Sequence, residues 1–136
     1  MKQIRLFLLA MLTVFFTACG GGSSDDNGST DAQDILEGKT FYYTDEYLDF
    51  SDGYYKDYFG ATTLTETEHM ADGTVLYTYN IHIKYSGSDL IVDYNGDDET
   101  CSVERYQKSV EIYCPVNGYT QVLWDTIEDA KANPQP

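Results

Sequence analysis

The chain has 136 residues, enough for one small domain. Its 8 Lys and Arg against 23 Asp and Glu give a net charge of −15, which excludes a nucleic-acid partner because phosphate binding requires a basic surface. Aromatic residues make up 15% of the chain, with 13 tyrosines, and this excludes a wholly disordered protein. The composition therefore indicates a folded, strongly acidic domain.

The first 18 residues have the pattern of a secretory signal peptide. Lys2 and Arg5 give a positive start, and an apolar run from Leu6 to Phe16 follows, interrupted only by Thr13. This run is shorter than the roughly 20 apolar residues that cross a bilayer. It therefore predicts a cleaved export signal and not a permanent membrane span.

The end of this segment, Phe16-Thr17-Ala18-Cys19, resembles the lipobox of bacterial lipoproteins. In that family, small residues precede a cysteine whose thiol receives diacylglycerol. Thr17, Ala18 and Cys19 match the pattern, whereas Phe16 stands where the family usually has Leu. The resemblance implies a lipid on Cys19, the membrane as a partner through that lipid, and no other cofactor. An ordinary signal peptide with an incidental cysteine is the alternative.

A flexible tether is predicted after Cys19. Residues 20–30 contain Gly, Ser, Asp, Asn and Thr and no apolar residue. Gly20, not Asp, follows the cysteine, and by the lipoprotein resemblance this favours the outer membrane, with its periplasmic face as the default. Without residues 1–18, six basic and 23 acidic residues leave −17, so anionic lipid headgroups would repel the domain. We expect a signal peptide over 1–18, the lipidated cysteine and tether over 19–34, and a β domain over 35–136.

The rest of the chain has the alternation of antiparallel strands. From Val75 to Tyr85 the odd positions are apolar or aromatic and the even positions mostly polar, so one face is buried and the other wet. Asn95-Gly96 predicts a type I′ hairpin turn. Further strands are expected at Lys39 to Thr44, Tyr54 to Phe59, Ala61 to Thr67, Leu90 to Tyr94, Thr100 to Tyr106, Ser109 to Cys114 and Tyr119 to Trp124. This pattern predicts a mainly β fold, an antiparallel barrel or sandwich of about seven or eight strands.

A short helix is predicted near the end of the sequence. Asp125 and Glu128 have the spacing of a capping box, with Asp125 as the cap. Ile127 and Ala130 would share one side of this helix, and Asn133 followed by proline would end it.

The two downstream cysteines predict a disulfide. A hairpin turn centred on residues 107–108 places Cys101 opposite Cys114, at a separation that suits a disulfide. An exported domain favours the oxidised form over two buried free thiols. The same register puts Glu104 opposite Glu111, an unfavourable pair that leaves a shift by one residue as the alternative.

Residues for catalysis or metal binding are few. His69 and His82 are the only imidazoles, and no Cys-x-x-Cys or His-x-x-x-His spacing predicts a zinc site. No nucleophile-elbow pattern is present, so we expect no enzyme activity. The acidic run Asp93 to Glu99 has Asp98 where a calcium loop needs Gly, and it is better interpreted as a hairpin tip.

A segment rich in tyrosine and acid lies between residues 42 and 59. One interpretation is a loop that binds a protein, a glycan or a cation. The other is a pair of strands whose tyrosine hydroxyls lie at the water boundary. The residues concerned are Tyr42, Tyr43, Tyr47, Tyr54, Tyr55, Tyr58, Asp45, Glu46, Asp49, Asp52 and Asp57.

The sequence from Leu36 to Tyr42, with an apolar residue, Gly38 and then an aromatic strand, resembles the first strand of small lipocalin-like bacterial lipoproteins. The resemblance implies an up-and-down barrel with an apolar ligand. The first functional hypothesis is therefore a noncatalytic envelope lipoprotein that binds a small apolar ligand or serves as an assembly module. Its cavity would be lined by the inward side of the long strand, with Tyr77, Tyr79, Ile81 and Ile83 as the binding residues.

The alternative hypothesis is an inhibitor that binds a basic enzyme such as lysozyme. The chain is similar in size and anchoring to the lipoprotein inhibitors of lysozyme, although their sequence motif is absent. A domain of charge −17 would attract a basic protein electrostatically.

Overall fold

The computed structural model describes residues 29–46 and 53–136. Eight antiparallel strands follow one another around a closed barrel, so the predicted mainly β fold is confirmed as a barrel. The strands are β1 Thr40–Tyr43, β2 Tyr54–Phe59, β3 Thr63–His69, β4 Val75–Ser86, β5 Asp89–Tyr94, β6 Asp97–Arg105, β7 Ser109–Cys114 and β8 Tyr119–Trp124. Two short helices flank them, α1 Ala32–Leu36 and α2 Ile127–Ala132.

Helix α1 begins within the segment expected to be tether, residues 19–34. Asp31 caps α1, and Ala32 is completely buried. The predicted signal peptide, Cys19 and the tether as far as residue 28 lie outside the described residues. Within residues 29–46 and 53–136, neither helix is long and apolar enough to cross a membrane.

The β6–β7 hairpin has the predicted register. Val103 pairs with Ile112 and Glu104 with Glu111. The predicted disulfide joins Cys101 to Cys114, whose Cα atoms are 4.3 Å apart. Glu104 is exposed and Glu111 half-buried on the outer face, where water screens their repulsion. The unfavourable pair is therefore tolerated, and the alternative register does not occur.

The β5–β6 hairpin confirms the predicted type I′ turn. Asn95 and Gly96 have φ values of 58° and 97°, the two positive values that this turn requires. Asp93 accepts a hydrogen bond from the Gly96 N–H at 2.6 Å, so its carboxylate stabilises the turn. The acidic run is thus a hairpin tip, as expected.

The barrel closes between β1 and β8 with help from the C-terminal tail. Tyr42 and Trp124 form the pair that these strands share. Beyond it, the Gln135 side-chain amide donates to the Val122 carbonyl at 2.7 Å and accepts from the Val122 N–H at 3.3 Å. The Gln135 backbone N–H donates to the Thr44 carbonyl at 2.9 Å. Gln135 therefore takes the place of a strand residue along the seam.

Helix α2 confirms the predicted C-terminal helix, but its cap lies one residue later than expected. Thr126, in an extended conformation, accepts a hydrogen bond from the Asp129 N–H at 3.1 Å. Asp125 does not cap the helix because both of its oxygens accept from Arg105, at 2.6 Å each. The helix ends before Asn133, as predicted.

The apolar core fills one half of the barrel. We call this half the closed end; it has the β2–β3, β4–β5 and β6–β7 turns, and α1 packs against β4, β5 and β6 there. Phe41 and Phe59 make an edge-to-face contact with ring centroids 5.9 Å apart. The buried apolar cluster comprises Ala32, Ile35, Leu36, Phe41, Phe59, Leu64, Ile83, Leu90, Val92, Cys101, Val103, Val110, Ile112 and Leu123. The opposite half, with the β1–β2, β3–β4, β5–β6 and β7–β8 connections, is called the open end.

Candidate binding site at the open end of the barrel

Alternation along the strands turns acids and tyrosines inward at the open end. Strand pairing aligns one row of side chains across four adjacent strands: Phe41, Asp57, Glu66 and Tyr79. The inward row on the closed-end side of it is apolar: Phe59, Leu64 and Ile81. The row on the other side is again polar and aromatic: Tyr43, Tyr55, Glu68 and Tyr77. The barrel interior thus changes from apolar to acidic within one step along the strands.

Asp57 and Glu66 form a buried carboxyl pair at this boundary. They are directly opposed on β2 and β3, Asp57 is only 1% exposed, and their carboxyl groups share a hydrogen bond. Burial, and then the charge of Glu66, raises the pKa of Asp57 well above its usual range. The Tyr43 hydroxyl also donates to Glu66, at 2.8 Å.

One atom of this carboxyl pair lacks a hydrogen bond. Asp57 Oδ1 is buried, and no described side chain or backbone group donates to it. Buried polar atoms in folded proteins are nearly always hydrogen-bonded, because the loss of water is otherwise uncompensated. The interior therefore presents an acceptor that is ready for a donor from outside the described chain.

The pKa values of tyrosines near the pair are raised by burial first and by neighbouring carboxylates second. Tyr43 and Tyr55 stack with ring centroids 4.5 Å apart. Burial, and then the charge of Glu68, raises the pKa of Tyr55 to about 12. Burial, and then the charge of Glu99, raises the pKa of Tyr94 on β5. Burial disfavours any added charge, whereas the contribution of the carboxylates to each shift is the part that favours a bound cation.

Glu99 has a structural role at the rim. Its carboxylate accepts from the Val116 N–H at 3.0 Å and from Asn117 Nδ2 at 3.1 Å, which holds the β7–β8 turn. It also lies within 4.8 Å of Cys101 and Cys114, the one group of three metal-ligand side-chain types found among the described residues. Because both cysteines are disulfide-bonded, they offer no thiolate, and this group is not a metal site.

The four residues predicted to bind a ligand share one face of β4 but have different surroundings. Ile83 is completely buried in the core, and Ile81 packs against it. Tyr77 and Tyr79 are 58% and 48% exposed. They lie beyond the point where β5 pairs with β4, which begins at His82. The two isoleucines thus belong to the packed interior, and the two tyrosines line the open end.

The histidines lie away from the open-end interior. His69 is on the outer face, stacked on Tyr54 at 4.8 Å between centroids. Its ring nitrogens lie 2.7 Å from the Thr67 hydroxyl and 3.1 Å from the Gly73 carbonyl, so both are engaged. His82 is exposed. Neither histidine side chain faces the carboxyl groups of the open end.

Sequence reasoning named Asp57 only within the tyrosine-rich segment and did not name Glu66 or Glu68. Alternation along the strands could have indicated these three carboxyl groups. Glu66 and Glu68 lie two and four residues after the buried Leu64 of β3, so all three face the same side. Asp57 lies two residues before the buried Phe59 of β2 and faces the same side as Phe59. The short β2–β3 turn then opposes the two carboxyls. Three other members of that segment lie outside the described residues: Tyr47, Asp49 and Asp52.

Comparison with known proteins gives no relative: no protein-family model, no curated protein and no solved structure matches the chain. The chemistry of the open end is therefore the basis on which a function is inferred.

Proposed function

We propose that this protein is a noncatalytic lipoprotein of the cell envelope that binds a basic protein at the open end of its barrel. The observation that carries the proposal is the inward acidic lining formed by Asp57, Glu66 and Glu68, set among tyrosines. Tyrosine gives a large contact area at low entropic cost, and carboxylates select cationic side chains.

The anchor in this proposal is a lipid on Cys19. The lipobox-like sequence and the Gly- and Ser-rich residues 20–30 support it, and Gly20 favours the outer membrane, on its periplasmic face. Metabolic labelling with palmitate is the test, with Cys19→Ser as the variant and Cys101→Ser as the matched cysteine control. We expect label in the wild type and control and none in Cys19→Ser. Label that persists in Cys19→Ser would remove the anchor.

An apolar ligand is less well supported by the barrel interior. Fully buried apolar side chains, among them Phe41, Phe59 and Leu90, already fill the closed end. The open end has Asp57 and Glu66 on its inner face. An apolar ligand there would remove water from carboxyl groups without replacing their hydrogen bonds, which is costly.

The net negative charge of the whole chain also favours a basic protein as the partner. With residues 1–18 removed, the chain would have six basic and 23 acidic residues. Such a field accelerates encounter with a basic protein and repels acidic ones. Inhibition of a basic enzyme such as lysozyme is the specific form of this function that charge, size and disulfide support.

The test measures binding of lysozyme, as a basic probe, to the full chain purified in a non-ionic detergent. Glu68→Gln removes one charge at the open end, and Glu104→Gln removes one charge from the outer face of β6. We expect lysozyme to bind, its affinity to fall as salt is raised, and Glu68→Gln to weaken binding more than Glu104→Gln. An acidic protein of similar size serves as the negative control. No binding at low salt, or equal effects of the two variants, would contradict the proposal.

A further inference from the structure

The carboxyl pair inside the barrel has a property that a general acidic surface lacks. Asp57 Oδ1 is buried, faces the interior and has no donor among the described residues. Glu66 already accepts from Tyr43 and shares a hydrogen bond with Asp57. The pair therefore offers an unused acceptor oxygen beside a second carboxyl group.

The missing partner has to supply both N–H or O–H donors and a positive charge. Asp57 and Glu66 are directly opposed carboxyl groups in a buried setting, where a nearby cation would relieve the repulsion between their charges. A primary ammonium group carries one positive charge and three donors, so it lowers this repulsion and can donate to both carboxyl groups. The stacked Tyr43 and Tyr55 rings add aromatic surface that favours a cation.

We infer that the Asp57–Glu66 pair, together with Tyr43 and Tyr55, is a subsite for a primary ammonium group that enters from the open end. The inference deepens the proposed function and rests on it for the direction of approach. The ammonium group belongs either to a lysine side chain of the basic partner or to a free amine.

The row of aligned side chains also provides a route. On the β1 side of the pair stands Phe41, which is buried in the core. On the β4 side stands Tyr79, which is 48% exposed. The inferred approach of an ammonium group to Glu66 is therefore from the Tyr79 side, with its alkyl stem along aromatic surface.

The experiment titrates the full chain, in a non-ionic detergent, with n-butylammonium chloride by calorimetry. Tetramethylammonium is the matched probe, because it has the same charge and no N–H donor. We expect n-butylammonium to bind and tetramethylammonium to bind about tenfold more weakly or not at all, since charge-assisted hydrogen bonds carry the recognition. Equal binding of both probes, or no binding of n-butylammonium, would overturn the inference.

Four variants locate the bound probe. Glu66→Gln removes the charge, and Asp57→Leu removes the free acceptor; each is expected to weaken n-butylammonium binding about tenfold or more. Asp57→Asn keeps an acceptor oxygen and an N–H donor toward Glu66, so it is expected to retain binding. The control Glu104→Gln/Glu111→Gln removes two charges from the opposed outer-face pair and is expected to bind normally. Undiminished binding by Glu66→Gln would place the cation elsewhere and overturn the inference, even if Asp57→Leu failed to fold.

The same variants separate the two sources of ammonium and the two proposals. If Asp57→Leu weakens both lysozyme and n-butylammonium binding, the occupant is a lysine side chain. If it weakens n-butylammonium binding alone, the occupant is a free amine. Salt-sensitive lysozyme binding without n-butylammonium binding would remove the subsite and leave the proposed function. The reverse result would remove the basic-protein function and leave the subsite.

Discussion

The two ends of the barrel are made from the same strands and have different inward side chains. At the closed end, inward side chains such as Phe59 and Ile83 are completely buried, and α1 packs against β4, β5 and β6 there. At the open end, the inward positions of the same strands carry Asp57 and Tyr79. Apolar burial, the main source of stability, is therefore concentrated at the closed end, whereas the carboxyl groups at the other end do not contribute in this way.

The largest expected effect is a loss of stability when a buried aromatic side chain is removed from the closed end. Phe59→Ala removes a ring that packs edge-to-face on Phe41 and leaves a cavity, so we expect a loss of about 3–5 kcal/mol in the free energy of unfolding. Tyr79→Ala, at a half-exposed position of the open end, should change this free energy by about 0.5 kcal/mol or less. Urea unfolding of the full chain measures both. Similar losses for the two variants would remove the distinction between the ends.

The disulfide is expected to have the next largest effect. Cys101 and Cys114 are 13 residues apart in sequence, and their disulfide connects β6 to β7. Cys101→Ser/Cys114→Ser should lower the free energy of unfolding by about 3 kcal/mol. Reductant should lower the wild-type value and leave the double variant unchanged. A reductant effect that persists in the double variant would show that another cause is at work.

The smallest expected effect is a change in slope with pH, caused by Asp57. Because its pKa is raised in the folded protein, the folded state keeps a proton that the unfolded state has lost. The contribution to stability is full below the pKa of the unfolded chain and is lost as the pH rises through the pKa of the folded protein. Asp57→Asn does not titrate, so its stability relative to the wild type should increase from pH 4 towards neutral pH.

Thermal unfolding at several pH values measures this difference, with Glu104→Gln as the control at an exposed site. The control should follow the wild-type curve in parallel. Parallel curves for Asp57→Asn and the wild type would mean that Asp57 titrates in the same way in the folded and unfolded chains.

Local patterns were enough to predict most of the fold. The strand from Val75 to Tyr85 and the Asn95-Gly96 turn depend on neighbouring residues, and both are confirmed. The predicted buried face of that strand is wrong for its first half, where Val75, Tyr77 and Tyr79 are exposed. The register of Cys101 with Cys114 followed from one short turn. Local patterns could not distinguish a barrel from a sandwich, because a barrel requires pairing between β1 and β8, which are distant in sequence.

The candidate site was predicted less completely, for a related reason. Glu66 becomes important only when β2 and β3 are paired and Asp57 lies opposite it. The helix cap was missed because the competition for Asp125 comes from Arg105, on a different strand. Interactions between distant segments decide both cases, and a single sequence shows only the residue types.

The seam at Gln135 also protects strand edges where the barrel closes. Gln135 follows every strand in the chain, yet it bonds to Val122 and to Thr44 across the gap between the last and first strands. Its bonds cover backbone groups of β8 and of Thr44, which follows β1, beyond the Tyr42–Trp124 pair. Uncovered strand edges invite pairing with other chains, so Gln135 removes a place where another copy could add a strand.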